Sequence, residues 1–151
     1  MSSAKEQIER LIFLCDRYND DGDFDAVGEL FAHGSIGVDG MGDLVCQGAE
    51  GTAGQFRSVT RTYPEGGART HHLSTNLVID VDDAAGTATC TSHYVMFQGT
   101  DALPFQPINA GRNVDTFECV QGVWRWKHRQ IKVMFVGNMD HHLVQDTTPF
   151  S

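Results

Sequence analysis

The sequence predicts an α+β fold in which helices come first and a strongly curved antiparallel sheet follows. Three observations carry this. Apolar residues recur at helical spacing in three stretches of the first 62 residues. From Thr70 onward the chain is rich in Val, Ile, Thr and aromatic residues. Those later runs are separated by short stretches of turn-forming residues. A curved sheet folded around helices makes a cone, and the open end of a cone is a natural ligand pocket.

Ile8, Leu11, Ile12, Cys15 and Tyr18 share one face of a helix over residues 3 to 18. Asn19 to Asp23 is a polar break containing Gly22. Phe24, Val27, Leu30 and Phe31 then mark a short second helix with Asp23 as its N-cap. Ile36 to Val38 and Leu44 to Cys46 read as a small hairpin around Asp39-Gly40-Met41-Gly42. Residues 48 to 62 read as a third helix that buries Phe56 and Val59, and Tyr63 to Gly67 as a loop. Strands are expected over 71–81, 87–98, 112–120 and 123–136. The turns between them are Asp82 to Gly86, Pro104 to Gly111, and Gln121-Gly122. In the first of these strands, strict alternation would put Leu73, Leu77, Ile79 and Val81 on one face and His72, Ser74 and Asn76 on the other. No repeat or linker interrupts the pattern, so residues 1–151 read as a single domain.

The chain length and its 40% hydrophobic content suffice for one core. Twenty acidic residues against eleven Lys and Arg give a formal net charge of −9, which argues against nucleic acid or an anionic membrane as partner. No apolar run is long enough to span a bilayer, and MSSAKEQIER has no apolar signal core. Cys15, Cys46, Cys90 and Cys119 are widely spread and form no CxxC pair. They are expected as free thiols in a reducing cytoplasm.

Two patterns invite a metal and fail. In DRYNDDGDFDAV, placing Gly22 at the sixth position of a calcium loop leaves Arg17 first and Gly28 twelfth, where acids are required. The pairs His71-His72 and His141-His142 place adjacent residues on opposite strand faces, with no Cys or Glu at ligand spacing beside them. No metal and no cofactor is expected. What remains is His72 at the mouth of a strand, in RTHHLSTNLVID. A lone strand histidine is usually structural. A carboxylate from the acidic turn at Asp20 to Asp23, holding one ring nitrogen, would make the other a general base.

The ordered set YNDDGDFDAVGELFA, CQGAEG, THHLSTNLVID and DTFECVQGVWRWKHRQI resembles the SnoaL-like branch of the nuclear transport factor 2-like superfamily, and within it the scytalone dehydratase-like group. The resemblance covers nearly the whole chain. It implies the cone-shaped fold and a catalytic dyad of Asp20 and His72. It also implies a second active-site histidine at His93, in TSHYVMF, and an asparagine at Asn113, eleven residues before Trp124. The family's two substrate-binding tyrosines are missing, since Asn19 and Asp39 stand in their places. Tyr18 and Tyr94 are the candidates to substitute for them. Arg129, in WKHRQI, is either a pocket cation or a surface residue.

The expected activity is that of a cofactor-independent lyase or isomerase acting on a small cyclic, aromatic or polyketide-like molecule. His72 would be the base and Asp20 would orient it. A non-catalytic ligand binder, or the structural β subunit of a ring-hydroxylating dioxygenase, is the alternative from another class. Family habit implies a homodimer or homotrimer built on the sheet's outer face. Trp124, Trp126 and the run Val133-Met134-Phe135-Val136 are read as the apolar surface for it.

Overall fold

The computed structural model describes residues 2–144. Helix α1 (Ala4–Asp21) starts at Ser3, whose side chain accepts a hydrogen bond from the Glu6 N–H at 3.1 Å. It ends at Gly22, in the left-handed region at φ 74°, where the N–H groups of Gly22 and Asp23 donate to the carbonyls of Asn19 and Tyr18. A side chain at this φ would be strained, so the glycine allows the sharp exit into α2 (Phe24–Leu30). The Asp23 side chain caps α2 by accepting from the Ala26 N–H. Strands β1 (Ser35–Val38) and β2 (Gly42–Gln47) follow, then α3 (Gly48–Val59). The third helix is therefore shorter than the predicted 48–62. Thr60 leaves it in an extended conformation and forms a bridge with Leu143. Its buried positions are Thr52 and Ala53, whereas Phe56 and Val59 are only half-buried.

Four long strands complete the chain: β3 (Thr70–Asp82), β4 (Thr87–Gln98), β5 (Gln106–Val120) and β6 (Val123–Val136). They form one open six-stranded sheet in the order β2-β1-β6-β5-β4-β3. Its pairings are antiparallel except one: β1 runs parallel to β6, so the sheet is mixed. β5 begins six residues earlier than its predicted start at 112. Pro107 suggested a turn there. It lies at a register shift opposite Phe97, where a missing N–H is tolerated.

The predicted face assignment of β3 is corrected by a bulge. Thr75 pairs with His93 and Val78 with Thr91, so β3 carries one residue more than its partner across this step. Asn76 takes it up at φ 55°. The bulge inverts the alternation. Thr70, His72 and Ser74 face inward before it and Leu77, Ile79 and Val81 after it, while Leu73 is 49% exposed on the outer face. One strand thus supplies polar groups to the open end of the cone and apolar groups to its closed end.

The closed end is the main core. Ile8, Ile12, Val27, Phe31, Phe117, Trp124 and Trp126 are buried there between the helices and the sheet. Phe31 stacks on Trp126 at 4.5 Å between centroids, and Phe117 meets the same indole at 5.2 Å. Both tryptophans therefore belong to the inner face and not to the outer surface where they were expected. The reason is that β6 alternates, and its even-numbered residues near the start point to the helices.

Candidate functional site

The site begins with a match of two periodicities. On α1, Asp16 and Asp20 are four residues apart and lie on one face, separated by about 6 Å along the axis. On β3, His72 and Ser74 are two residues apart on one face, separated by about 6.7 Å. The elements pack together, and the side chains meet as two rungs. Ser74 donates its hydroxyl to Asp16 Oδ2 at 2.7 Å. His72 Nδ1 lies 2.5 Å from Asp20 Oδ1, with both side chains less than one-fifth exposed.

Asp20 is held by more than the imidazole. It accepts from the Thr70 hydroxyl at 2.7 Å and from the His72 backbone N–H at 3.1 and 3.0 Å. A carboxylate in the last turn of a helix opposes the helix dipole. These donors from the start of β3 offset that. The approach also needs Gly67, at φ 63°: a Cβ there would stand 2.2 Å from the Asp20 carbonyl oxygen. The adjacent Ala68 N–H donates to that same oxygen. With Nδ1–H committed to Asp20, the lone pair of His72 sits on Nε2.

His72 lines a cavity of about 340 Å³ at the open end of the cone, a size suited to a small organic ligand. One wall is polar and carries Asp16, Asn19, His72, Asn109, Asn113 and Arg129. The rest of the lining is largely apolar and includes Ile36, Val38, Phe56, Val59 and Ile131, with Met139 and Leu143 from the segment after β6. Among the described residues no group of three or more His, Cys, Asp or Glu is placed to hold a metal ion. No helix there is long and apolar enough to cross a membrane.

Of the expected site residues, Asp20, His72, Asn113, Tyr94 and Arg129 converge here. Asn113 lines the cavity with its Oδ1 enclosed and unpartnered. The Tyr94 hydroxyl donates to Asn109 Oδ1 at 2.6 Å, and burial pushes its pKa up to about 12. Arg129 is 6% exposed, which removes the surface reading. Its guanidinium grips Asp115 through Nε at 2.8 Å and Nη2 at 3.1 Å and lies over the Trp126 ring at 4.8 Å. Burial pulls its pKa down, but Asp115 more than reverses that, so it stays charged.

Two expectations are corrected. His93 is exposed on the outer face, bonded to Asn76 Nδ2 at 3.0 Å, because its inward neighbours on β4 are Ser92 and Tyr94. Tyr18 packs against the main core and does not line the cavity. Neither missing tyrosine is replaced in place. Asn19 lines the cavity with its Nδ2 given to the Cys15 carbonyl, and Asp39 accepts from Gln130 near the surface.

Other groups were not anticipated. Asp16 is 8% exposed, and burial raises its pKa, opposed by Arg129 and His72. Its position one helical turn before Asp20 was a legible signal. Burial also pushes the cavity-lining Cys15 thiol up to about 12. His142 comes from the segment after β6 and is 7% exposed. Burial, helped by His72, pushes it down to about 4 against an opposing pull from Asp20. The pair His141-His142 gave no hint of this, since its place depends on how the chain returns after β6.

The sequence of residues 1–130 matches the model of the SnoaL-like domain family. No curated protein has a matching sequence. Several solved structures are similar in fold. A nuclear transport factor 2-like protein with a cystatin-like fold from Novosphingobium aromaticivorans is 23% identical, with a TM-score of 0.69 over 86% of this chain and 81% of its own. A proposed scytalone dehydratase from the same organism is 20% identical, with a TM-score of 0.66 over 87% and 84%. The β subunit of a proposed aromatic-ring-hydroxylating dioxygenase, again from that organism, is 19% identical, with a TM-score of 0.68 over 88% and 90%.

Proposed function

The chain belongs to the SnoaL-like domain family, and from that premise we propose that it is a cofactor-independent lyase or isomerase of a small cyclic, aromatic or polyketide-like molecule. One observation carries the reading: a histidine whose Nδ1 is held by a carboxylate at 2.5 Å borders a mostly apolar cavity of about 340 Å³. A tautomer fixed in this way makes Nε2 a general base.

His72 takes the proton from a carbon next to a carbonyl, and the electrons move onto the carbonyl oxygen. Asp20 stabilises the imidazolium that results. Collapse of the enolate then expels a hydroxyl group, which leaves as water with the proton from His72. Without a leaving group, the proton returns to another carbon and the product is an isomer. Asn113, Tyr94 and Arg129 shape and polarise the binding wall. The proton transfers need no group beyond these side chains.

A panel of cyclic hydroxy-ketones, followed for loss of water or for deuterium exchange beside the carbonyl, tests this. His72→Ala should nearly abolish either reaction. Exchange that survives in His72→Ala would assign the base elsewhere. The alternative, a ligand binder or dioxygenase β subunit, is supported by the fold similarity to such a subunit. Micromolar binding across the panel with no reaction would favour it.

A cytoplasmic location fits the four free cysteines. A homodimer or homotrimer fits the exposed Leu73, Val78, Val114 and Met134 of the sheet strands. Light scattering that returned a 16.6 kDa monomer would remove the assembly.

A further inference from the structure

After β6 the chain folds back across the open end of the cone and is stitched down at several points. Thr60 and Leu143 form a bridge, and the Val144 N–H donates to the Val59 carbonyl at 3.0 Å. The His142 carbonyl accepts from the Arg61 N–H at 2.8 Å, while its own N–H donates to the Met139 carbonyl at 3.1 Å. The His141 carbonyl accepts from the Tyr63 hydroxyl and from Gln98 Nε2. The result is a fixed clasp, and Met139, His142 and Leu143 on its inner side line the cavity that His72 borders.

The His142 ring is specific in its two nitrogens. Nδ1 is enclosed and has no hydrogen-bond partner. A buried N–H with no acceptor is rarer and costlier than a buried lone pair left idle. The ring therefore carries its hydrogen on Nε2. That nitrogen has no hydrogen-bond partner among the described residues, and the side chain lines the cavity. From this geometry we propose that His142 is a hydrogen-bond donor, through Nε2–H, to the oxygen that becomes negative as His72 removes the substrate's proton. The inference rests on the lyase or isomerase reading and adds a second histidine to it. No proton passes to or from His142. The proton goes from carbon to His72 Nε2, the electron pair goes to the substrate oxygen, and the His142 N–H stabilises it.

Neutrality is what suits the ring to this role. The charged and titratable groups that act on it are His72 from β3 and Asp20 from α1, and burial outweighs both in keeping it uncharged near neutral pH. A second cation beside His72 would oppose formation of the imidazolium there. A neutral N–H favours the oxyanion without that penalty.

The test is binding of naphthols of graded acidity, which mimic an enolate, followed by fluorescence with the full chain. The unaltered protein should bind more tightly as the naphthol becomes more acidic. His142→Phe should lose about tenfold or more on the most acidic member and flatten the trend, as expected for loss of a hydrogen bond to a charged group. His142→Gln, which keeps an N–H, should stay close to the unaltered protein. Imidazole nitrogen spectra should show hydrogen on Nε2 of His142, moving downfield when naphthol binds. Hydrogen on Nδ1, an unchanged trend in a folded His142→Phe, or no naphthol binding by the unaltered protein would overturn the proposal. His72→Ala should keep the naphthol trend while losing turnover. A trend present in a protein that turns over nothing would retire the lyase reading and leave the donor in place.

Discussion

Two aspartates in this protein each hold a cationic or potentially cationic partner, and they differ in what they leave over. Asp115 is fully buried and accepts from Arg129 twice and from the Trp126 indole N–H at 3.0 Å. Most of the donors around it are turned inward, and the cluster ties β5 to β6 beneath the cavity. Asp20 is partly exposed and is just as well supplied with donors, but its partner His72 is spent at one nitrogen only. A polar cluster that consumes its groups becomes structure. One that leaves a basic nitrogen facing a cavity can do chemistry. Strongly perturbed or buried charge alone would have pointed to the wrong pair.

Substitutions can break that contrast. The largest expected effect is in activity. Asp20→Asn should preserve shape but permit the wrong tautomer of His72, and should lower kcat on any substrate found by about ten-thousand-fold, by analogy with other His–Asp pairs. Combined with His72→Ala it should add little to the single change, because the two act as one unit. A denaturant melt should show both variants still folded. Asp115→Ala should do the reverse and destabilise the fold by about 3–5 kcal/mol in urea unfolding, since it strands a buried guanidinium. If Asp115→Ala were nearly neutral in stability, the structural assignment of that cluster would fail.

His142 sharpens the contrast through pH. Its folded-state pKa is lowered from 6.5 to about 4, so the unfolded chain binds the extra proton first. Its contribution to stability is complete above pH 6.5 and is lost as pH falls towards 4. The loss should be on the order of 3 kcal/mol across that window. Unfolding free energies at pH 7 and pH 4.5 should differ less in His142→Gln than in the unaltered protein. Equal differences would mean the ring is not buried neutral.

The smallest effect belongs to the exposed pair Arg57–Asp25, at 2.7 Å but with side chains 55% and 83% exposed. Arg57→Ala should change stability by less than about 0.5 kcal/mol, since solvent and salt screen such pairs. A larger loss would show that short distance, and not burial, sets the value of the ion pairs here.

Local pattern in the sequence determined the elements. The helical spacing of Ile8, Ile12 and Cys15 and the cap at Asp23 correspond to helices present in the fold, and the predicted bounds of β4 and β6 match the observed strands. These features depend on neighbours three or four residues away, or on alternation by two. Resemblance of ordered motifs supplied Asp20 and His72 as partners, and the chain does bring them together. The bulge at Asn76 was decided only in three dimensions, because one inserted residue inverts every later side chain. So was the outward turn of His93, whose spacing on a strand fixes its face only after the register is known. The Asp115–Arg129 pair links two strands across their register, and His142 reaches the cavity because bridges to Thr60 and Arg61 turn the chain back after β6. Such contacts join residues from 14 to 83 positions apart, and nothing within the reach of a local pattern encodes which of them will meet.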